Sequence, residues 1–527
     1  ALKKQDFIKS SIILMISAII SKFLGAVFKI PLTNILGGVG MSYFSCAYSI
    51  FLPVYALSVT GLSTAVAHLT AQSAVFGMYD NAKKVRKTAI LIFSATGLAG
   101  SLIIYLIAKP FCIYIGECPE AELAVKLIAP SVFFGCITAV ERGYYEGLSN
   151  MYPTAFSQLA EGIVKMTCGL LMCSYVVNNS EKVLEYFPAG TDIRSISAAA
   201  GILGVTLSSV GSLLFFPVMK IFCRKEKRIS ADKTIVSGKK IAKTLMLTAL
   251  PVGISAVVTN LTSLIDLGTI TSIIGRNPEK YRTFSNISAE EIPHFLYGSF
   301  AGLTLTVFNL VPSVTNMLGK GVLPSVTEAW ESKDRKTLEK STHQAMLASL
   351  FISAPSAIGM GILSEKILMF LYSGQPDEVS ASVIPLQYLM PGMIFLCISF
   401  PVFSMLQAIG KPSVPLKIMI VGTLVKLGGN LILIPVMSIN GASLSTTISY
   451  AVILFASVGV YLKETQIKLH FSKFIPILYS SVFCGASAWI ADTQLSPYIS
   501  SNQSLFISTA TGAVVYIGIL SLVKKLR

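Results

Sequence analysis

IISKFLGAVFKIPLTNILGGVG, residues 19–40, is apolar enough to cross a bilayer and yet carries Lys22 and Lys29. With the membrane edge taken at Lys9 and Ser10, a rise of 1.5 Å per residue sets Lys22 roughly 20 Å deep and Lys29 about 10 Å further. A lysine at the bilayer centre costs about 2.5–3.5 kcal/mol on insertion scales, so both must face water or protein. Their seven-residue spacing is close to two turns, which brings the two ammonium groups to one face. Pro31 removes a backbone donor and is expected to bend the outer end of the helix. The stretch predicts a bent helix with a cationic face, lining a cavity that receives an anion.

Outward from this helix the chain is of the same kind. Its 527 residues are 53% hydrophobic and only 13% charged, with a mean hydropathy of +0.69, which excludes a soluble globular protein. The apolar runs are helix-length rather than the weak alternating strands of an outer-membrane barrel. They lie near residues 8–36, 43–72, 88–108, 121–145, 153–177, 196–222, 243–274, 296–325, 344–364, 381–408, 412–437, 441–462, 471–491 and 503–523. The expectation is an all-α polytopic membrane protein of about fourteen spanning helices. The first run is too long and too charged for a cleaved signal peptide and is read as a mature helix.

Basic residues gather at the amino terminus (Lys3, Lys4, Lys9), in the second loop (Lys83, Lys84, Arg86, Lys87), in residues 224–243, in the eighth loop (Lys333, Arg335, Lys336, Lys340) and in the tail (Lys524, Lys525, Arg527). With an even helix count all of these fall on one side. The alternate loops carry the acids Glu117, Glu120, Glu122, Asp192, Glu290, Glu291, Asp377 and Glu378. The positive-inside rule then places both termini in the cytoplasm. The net charge of +16 is this rim, suited to anionic lipid headgroups rather than nucleic acid.

Most cysteines lie inside the apolar runs as small filler; only Cys112 and Cys118 share an outward loop and could pair. There is no clustered His/Cys set for a metal and no phosphate-binding GxxxxGK[ST], so neither a metal site nor ATP hydrolysis is expected. The outward loops at residues 178–195 and 275–294 hold no acid cluster of the kind a membrane glycan polymerase would need, and we expect no enzyme.

Internal duplication is the next signal. LIAPSVFFGCITAV from Leu127 aligns with YLMPGMIFLCISFP from Tyr388 at a shift of 261, matching Pro130 with Pro391, Cys136 with Cys397 and, further on, Lys165 with Lys426. TNILGG at the end of the first run likewise matches ITSIIG at the end of the seventh. The expected organisation is an N-lobe at 1–223 (helices 1–6), a basic cytoplasmic linker at 224–242, a C-lobe at 243–462 (helices 7–12) and two further helices in 463–527. The lobes are expected to be pseudo-symmetric, with their repeat axis along the membrane normal.

Polar residues at membrane depth decide what such lobes could hold. The fifth run, PTAFSQLAEGIVKM, sets Gln158, Glu161 and Lys165 on one face, with Glu161 and Lys165 spaced to pair. Lys426 lies at similar depth with Asn430 one turn on. The seventh run adds Asn260 and Asp266, and the second adds His68, read as an interface histidine, and Gln72. ERGYYEGLSN places Arg142 and Glu146 four apart at the cytoplasmic mouth, as a helix-end pair or gate. Lys29 has two readings, snorkelling to the outer surface or lining the cavity, and Lys165 is either a structural partner of Glu161 or a ligand group. Asp266 is either a counter-ion or a cation-coupling group. The balance at the midplane is cationic and favours an anionic substrate.

These residues resemble a known group. SKFLGAVFKIPLTNILGGVGMSYFSCAYSIF, GLSTAVAHLTAQ, ERGYYEGLSNMYPTAFSQLAEGIVK, FLYGSFAGLTLTVFNLVPSVTNMLGKGVLPSVTEA and LQAIGKPSVPLKIMIVGTLVKLGGNLILIP are similar to the stage V sporulation protein B and polysaccharide-export family. That family is related to the MurJ lipid II flippases of the multidrug and oligosaccharidyl-lipid exporter superfamily. The resemblance implies fourteen helices, two lobes and alternating access. Its cargo would be an undecaprenyl-linked glycan pyrophosphate serving cell-wall or spore-cortex synthesis, and the protein is expected to act as a monomer among membrane lipids. Lys22 and Lys29 stand where such relatives often carry arginines, and a lysine reads phosphate as a point charge rather than a fork. Lys165, Lys426, Gln158 and Glu161 complete the expected substrate set. No cofactor is expected; Na+ or H+ coupling through Asp266, Asn430 and Thr446 is implied by the MurJ-like relatives. A flippase for another polysaccharide unit and a cation-coupled multidrug exporter are the alternative readings, the second disfavoured by lysines where a cationic drug would want acids.

Overall fold

A computed structural model describes residues 4–222, 237–281 and 286–525; within these, some side chains, that of Lys22 among them, lie outside the description. Helix is the only regular structure among the described residues. The chain runs through α1 (Lys4–Tyr55), α2 (Gly61–Val75), α3 (Tyr79–Tyr114), α4 (Glu122–Ile128), α5 (Pro130–Gly147), α6 (Tyr152–Asn178), the short α7 (Ser180–Leu184), α8 (Ile193–Phe222) and α9 (Gly238–Gly275). It continues through α10 (Ile292–Ser299), α11 (Leu305–Phe308), α12 (Leu310–Glu331), α13 (Arg335–Ile362), α14 (Ser364–Leu371), α15 (Pro376–Ala408), α16 (Ser413–Met437), α17 (Ile439–Thr465), α18 (Ile475–Leu495) and α19 (Ser501–Lys525). Proline stands in the first positions of α5, α6, α10, α15 and α18, where its missing N–H costs nothing.

Among the described residues twelve helices are long and apolar enough to cross a membrane, and the bent segment Ala289–Asn316 makes a thirteenth. One of the twelve, Phe23–Val75, is really two. Gly37 breaks α1 with φ 65° and ψ −176°, a conformation open essentially to glycine alone. The rings of Phe28 and Phe44, sixteen residues apart, have centroids only 6.1 Å apart, whereas a straight helix would separate those residues by about 24 Å. The chain therefore folds back at Gly37, where a short loop between runs 8–36 and 43–72 was expected, and the spans number about fourteen. The expected linker at 224–242 lies outside the described residues as far as 236.

Residues 1–268 and 269–527 form two compact units. In the first, α6 and α8 pack along their lengths, α1 lies on α6, and α5 is held between α2 and α3. Gly143 and Gly147 form a small-xxx-small face on α5: a Cβ on either would stand 2.4 Å from the Ser63 carbonyl oxygen or 2.6 Å from that of Ala67, so the backbones of α5 and α2 touch. In the second unit α15 is central, with 67% of its apolar window buried, against α12, α13 and α17; α19, at 22%, is peripheral. The two helices beyond the expected lobes, α18 and α19, pack on each other. They are tied inward by Lys366 of α14, whose Nζ lies 2.5 Å from Asp492 Oδ1 and 3.2 Å from Ser504 Oγ. Each unit also contains a five-residue π-helical turn, Ala56–Thr60 and Phe300–Thr304, each followed directly by an α-helix.

Candidate functional site

In the first unit the fold-back at Gly37 sets both arms of α1 against α6. Its second arm carries Phe44, Tyr48, Phe51 and Tyr55, spaced four, three and four residues apart, and so stacks them along one face with centroids 4.9–6.0 Å apart. Phe28 joins the row from the first arm. The Lys165 ammonium sits over this row, 5.2 Å from the Phe28 centroid and 5.1 Å from that of Tyr48. Ring faces attract a desolvated cation while leaving it free to take an anion. Lys29, half-buried on the first arm, is near enough to feel the Lys165 charge. Among the described residues neither ammonium has a carboxylate within ion-pair distance. The buried Tyr48 hydroxyl and Gln158 Oε1 in the same region also lack a protein partner.

The acid expected to pair with Lys165 is engaged elsewhere. Glu161 accepts from Arg142 Nη2 at 2.8 Å, across from α6 to α5, and Arg142 also donates to Ser157 Oγ at 2.8 Å and Ser212 Oγ at 2.9 Å. Two expected pairings are thereby corrected: Glu161 binds Arg142 and not Lys165, and Arg142 turns to Glu161 and the two serines, not to Glu146. The physical reason is reach. An i,i+4 pair on one helix is worth only about 0.2–0.5 kcal/mol, whereas a guanidinium with three partners in a packed interface is held by charge-assisted bonds. Next to it, Glu141 is buried and receives Arg86 of α3, Nε standing 3.1 and 3.0 Å from its two oxygens, with the guanidinium 5.3 Å over Tyr144. The adjacent charges Glu141 and Arg142 thus point to opposite neighbours and stitch α3, α5, α6 and α8 together.

Of the other expected residues, Asp266 is buried in the first unit, and Lys426, Asn430 and Thr446 are buried in the second. Asn430 donates to Thr269 Oγ1 at 2.9 Å, and the Thr446 hydroxyl bonds back to the Ala442 carbonyl at 2.8 Å. Lys426 is 3% exposed, unlike the half-buried Lys165 it aligns with. Asn260 bonds to the Ala256 carbonyl of its own helix, and His68 and Gln72 are exposed. Cys112 and Cys118 are free thiols, buried together with Cys46, and are not paired with each other. The missed features, the aromatic row and the Arg142 hub, both had a trace in the sequence: the spacing F44, Y48, F51, Y55, and opposite charges side by side in one apolar helix.

Comparison with known proteins agrees with this architecture. The profile of the polysaccharide biosynthesis protein family matches residues 7–330, and that of the MatE family matches residues 299–432. Stage V sporulation protein B of Bacillus subtilis (strain 168) is 22% identical over 99% of this chain and 96% of its own length. The lipid II flippase MurJ of the same organism is 23% identical over 97% of this chain and 94% of its own. Among solved structures, the lipid II flippase MurJ in an inward closed conformation superposes with a TM-score of 0.69 at 15% identity, covering 98% of this chain and 99% of that one. An inward-facing multidrug resistance MATE transporter superposes with a TM-score of 0.67 at 13% identity, covering 86% and 98%. MurJ is named as a flippase and the MATE protein as a transporter, neither as an enzyme, and with a matching profile over more than half its length the chain belongs to the polysaccharide biosynthesis protein family.

Proposed function

We propose that the protein is an alternating-access flippase that moves a lipid-linked anionic glycan precursor, of the undecaprenyl pyrophosphate kind, from the cytoplasmic to the outer leaflet. The observation that carries this reading is the pair Lys29 and Lys165: two cations inside the first unit without a carboxylate partner, one of them cradled by aromatic faces, while the acid nearest in sequence is held away by Arg142. A cation kept unneutralised in a membrane interior is expensive, and a diphosphate is the ligand class that offsets two at once. The relatives named for lipid II transport and polysaccharide biosynthesis support the same cargo class. In the proposed cycle the diphosphate meets Lys29 and Lys165, with Lys22 on the same helix, while the polyprenyl tail stays in lipid. Once neutralised, the lysines no longer oppose closure of a low-dielectric interior, so occupancy biases the switch. The field then acts on the empty, positive carrier with about 2.3 kcal/mol per charge per 100 mV and drives its return. Cytoplasmic termini, a monomeric state, a six-plus-six lobe division and cation coupling through Asp266, Asn430 and Thr446 belong to the same proposal.

The test is binding of purified protein to lipid II, undecaprenyl phosphate and a cationic dye, with Lys22→Ala, Lys29→Ala and Lys165→Ala beside the parent. Loss of a charge-assisted contact of about 1.5–3 kcal/mol predicts a weakening of about 10- to 100-fold for the pyrophosphate lipid per lysine, and none for the dye. Dye binding alone, or lipid binding indifferent to the lysines, refutes the reading. Preference for a different glycan on the same carrier reassigns the sugar and keeps the mechanism.

A further inference from the structure

In the second unit a cavity of about 400 Å³ opens where α13 and α18 begin. That volume lies within the roughly 300–1,000 Å³ of small-ligand sites. Lys336 and Lys340 from the first turns of α13 and Lys473 from the turn before α18 line it, with Leu347 two turns below Lys340 and Glu339 between the lysines. Three cations face one carboxylate. The carboxylate is itself engaged, Glu339 Oε1 lying 3.1 Å from His470 Nδ1. The positive charge here is that of the lysines, because the first amides of α13 are already taken by the Asp334 carboxylate.

His343 fixes this geometry. It is 3% exposed, and its Nε2 accepts the His470 backbone N–H at 2.9 Å, which requires that ring nitrogen to be unprotonated; Nδ1–H then donates to the Glu339 carbonyl at 2.8 Å. Glu339, His343 and His470 bring potential metal ligands within 4.8 Å of one another, but with both nitrogens of His343 occupied by backbone only two ligands remain, too few for a closed metal site. The imidazole is a latch that holds residue 470, and with it Lys473, against Lys336 and Lys340. An anion is what this arrangement can take. The apolar Leu347 beneath a cationic rim, at the entrance of two membrane spans, matches a phosphate joined to hydrocarbon better than a free phosphate.

We propose that this cavity is a binding site for the phosphate headgroup of an anionic membrane lipid, held by Lys336, Lys340 and Lys473 at the surface of the second unit. The experiment is native mass spectrometry of the full chain released from detergent in the presence of phosphatidylglycerol, phosphatidylcholine or inorganic phosphate. Parent protein should retain phosphatidylglycerol over phosphatidylcholine. Lys336→Gln/Lys340→Gln/Lys473→Gln should lose that retention by tenfold or more, and the equally charged control Lys239→Gln/Lys240→Gln/Lys243→Gln should keep it. The arginine triple Lys336→Arg/Lys340→Arg/Lys473→Arg, which preserves charge, should bind as the parent does and guards against a folding defect in the glutamine triple. Equal loss in the control, no preference for phosphatidylglycerol, or a parent-like glutamine triple overturns the proposal. Full displacement of the lipid by inorganic phosphate at equal concentration overturns the lipid assignment in favour of a free anion.

Discussion

Replacing Arg142 with Met should weaken substrate binding although Arg142 is not proposed to touch the substrate. In the parent, Glu161 is held by Arg142 Nη2 at 2.8 Å and lies one turn before Lys165 on α6. Without the guanidinium, the nearest cation for the freed carboxylate is Lys165 itself, at the i,i+4 spacing that lets the two pair. The proposed site then loses the use of one cation. A charge-assisted hydrogen bond to phosphate contributes about 1.5–3 kcal/mol, so the dissociation constant for undecaprenyl pyrophosphate should rise by about 10- to 100-fold. Breaking a buried pair costs about 3–5 kcal/mol of stability when the remaining charge is fully enclosed. Glu161 is 32% exposed, and solvent screening reduces the expected loss to about 2 kcal/mol. The decisive arm is the double variant. Arg142→Met/Glu161→Gln removes the competing carboxylate and should restore binding to near the parent value, and Glu161→Gln alone should bind at least as well as the parent. Titration of the lipid against each purified variant, with a thermal melt alongside, separates binding from folding. If Arg142→Met binds normally, or if the double variant binds no better than Arg142→Met, then Arg142 does not act by keeping Glu161 from Lys165.

Gly37→Ala places a Cβ at φ 65°, ψ −176°, a strain of about 1–3 kcal/mol, and should lower the melting temperature measured in detergent; an unchanged melt would mean that the turn is not built on that conformation. Gly143→Leu drives a side chain into the Ser63 carbonyl and should separate α5 from α2, seen as loss of folded protein on size-exclusion chromatography, whereas Gly359→Leu, where a Cβ meets nothing within 4 Å, should be tolerated. Asp334 caps α13, accepting from the amides of Lys336 at 3.1 Å and Thr337 at 3.2 Å, and the Thr337 hydroxyl and amides hold its carboxyl below the usual carboxylate range. A lowered folded value means that the cap is fully present above the ordinary carboxyl range and lost as pH falls through that lower value. Hydrogen exchange at residues 336–338 should accelerate in that acid window in the parent and be fast at every pH in Asp334→Ala; identical exchange in the two would remove the cap from the account.

The spans were legible because hydrocarbon thickness sets a length that a run of apolar residues either meets or does not. Expected runs at 412–437 and 441–462 stand against helices Ser413–Met437 and Ile439–Thr465. The first hairpin was not legible in detail. A loop was expected where α1 turns on the single residue Gly37, because run length reports how far a helix can extend and is silent on how few residues a glycine needs to reverse it. The bend in the eighth span escaped for a related reason: run length is silent on where a helix is interrupted, here by the π turn Phe300–Thr304 and the break at Asn309.

At the site, the sequence offered candidates and not partnerships. Counting residues from the membrane edge left Lys29 between snorkelling to the outer surface and lining the cavity, and Lys165 between a structural pair and a ligand group; in the structure both are half-buried. The i,i+4 rule offered Glu161 to Lys165 because it knows only one helix, and Arg142 reached across from another. This difference decides the chemistry. With Glu161 on Lys165 the first unit would present one free cation beside a neutral pair, a modest site for a diphosphate. With Glu161 on Arg142 it presents two like charges near each other, which on the proposed reading a doubly anionic diphosphate offsets. On that reading the interhelical pair and the lysine cluster are one device: the arginine that ties α5, α6 and α8 together is also what leaves the lysines without Glu161, so packing and affinity are predicted to fall together when that residue is replaced.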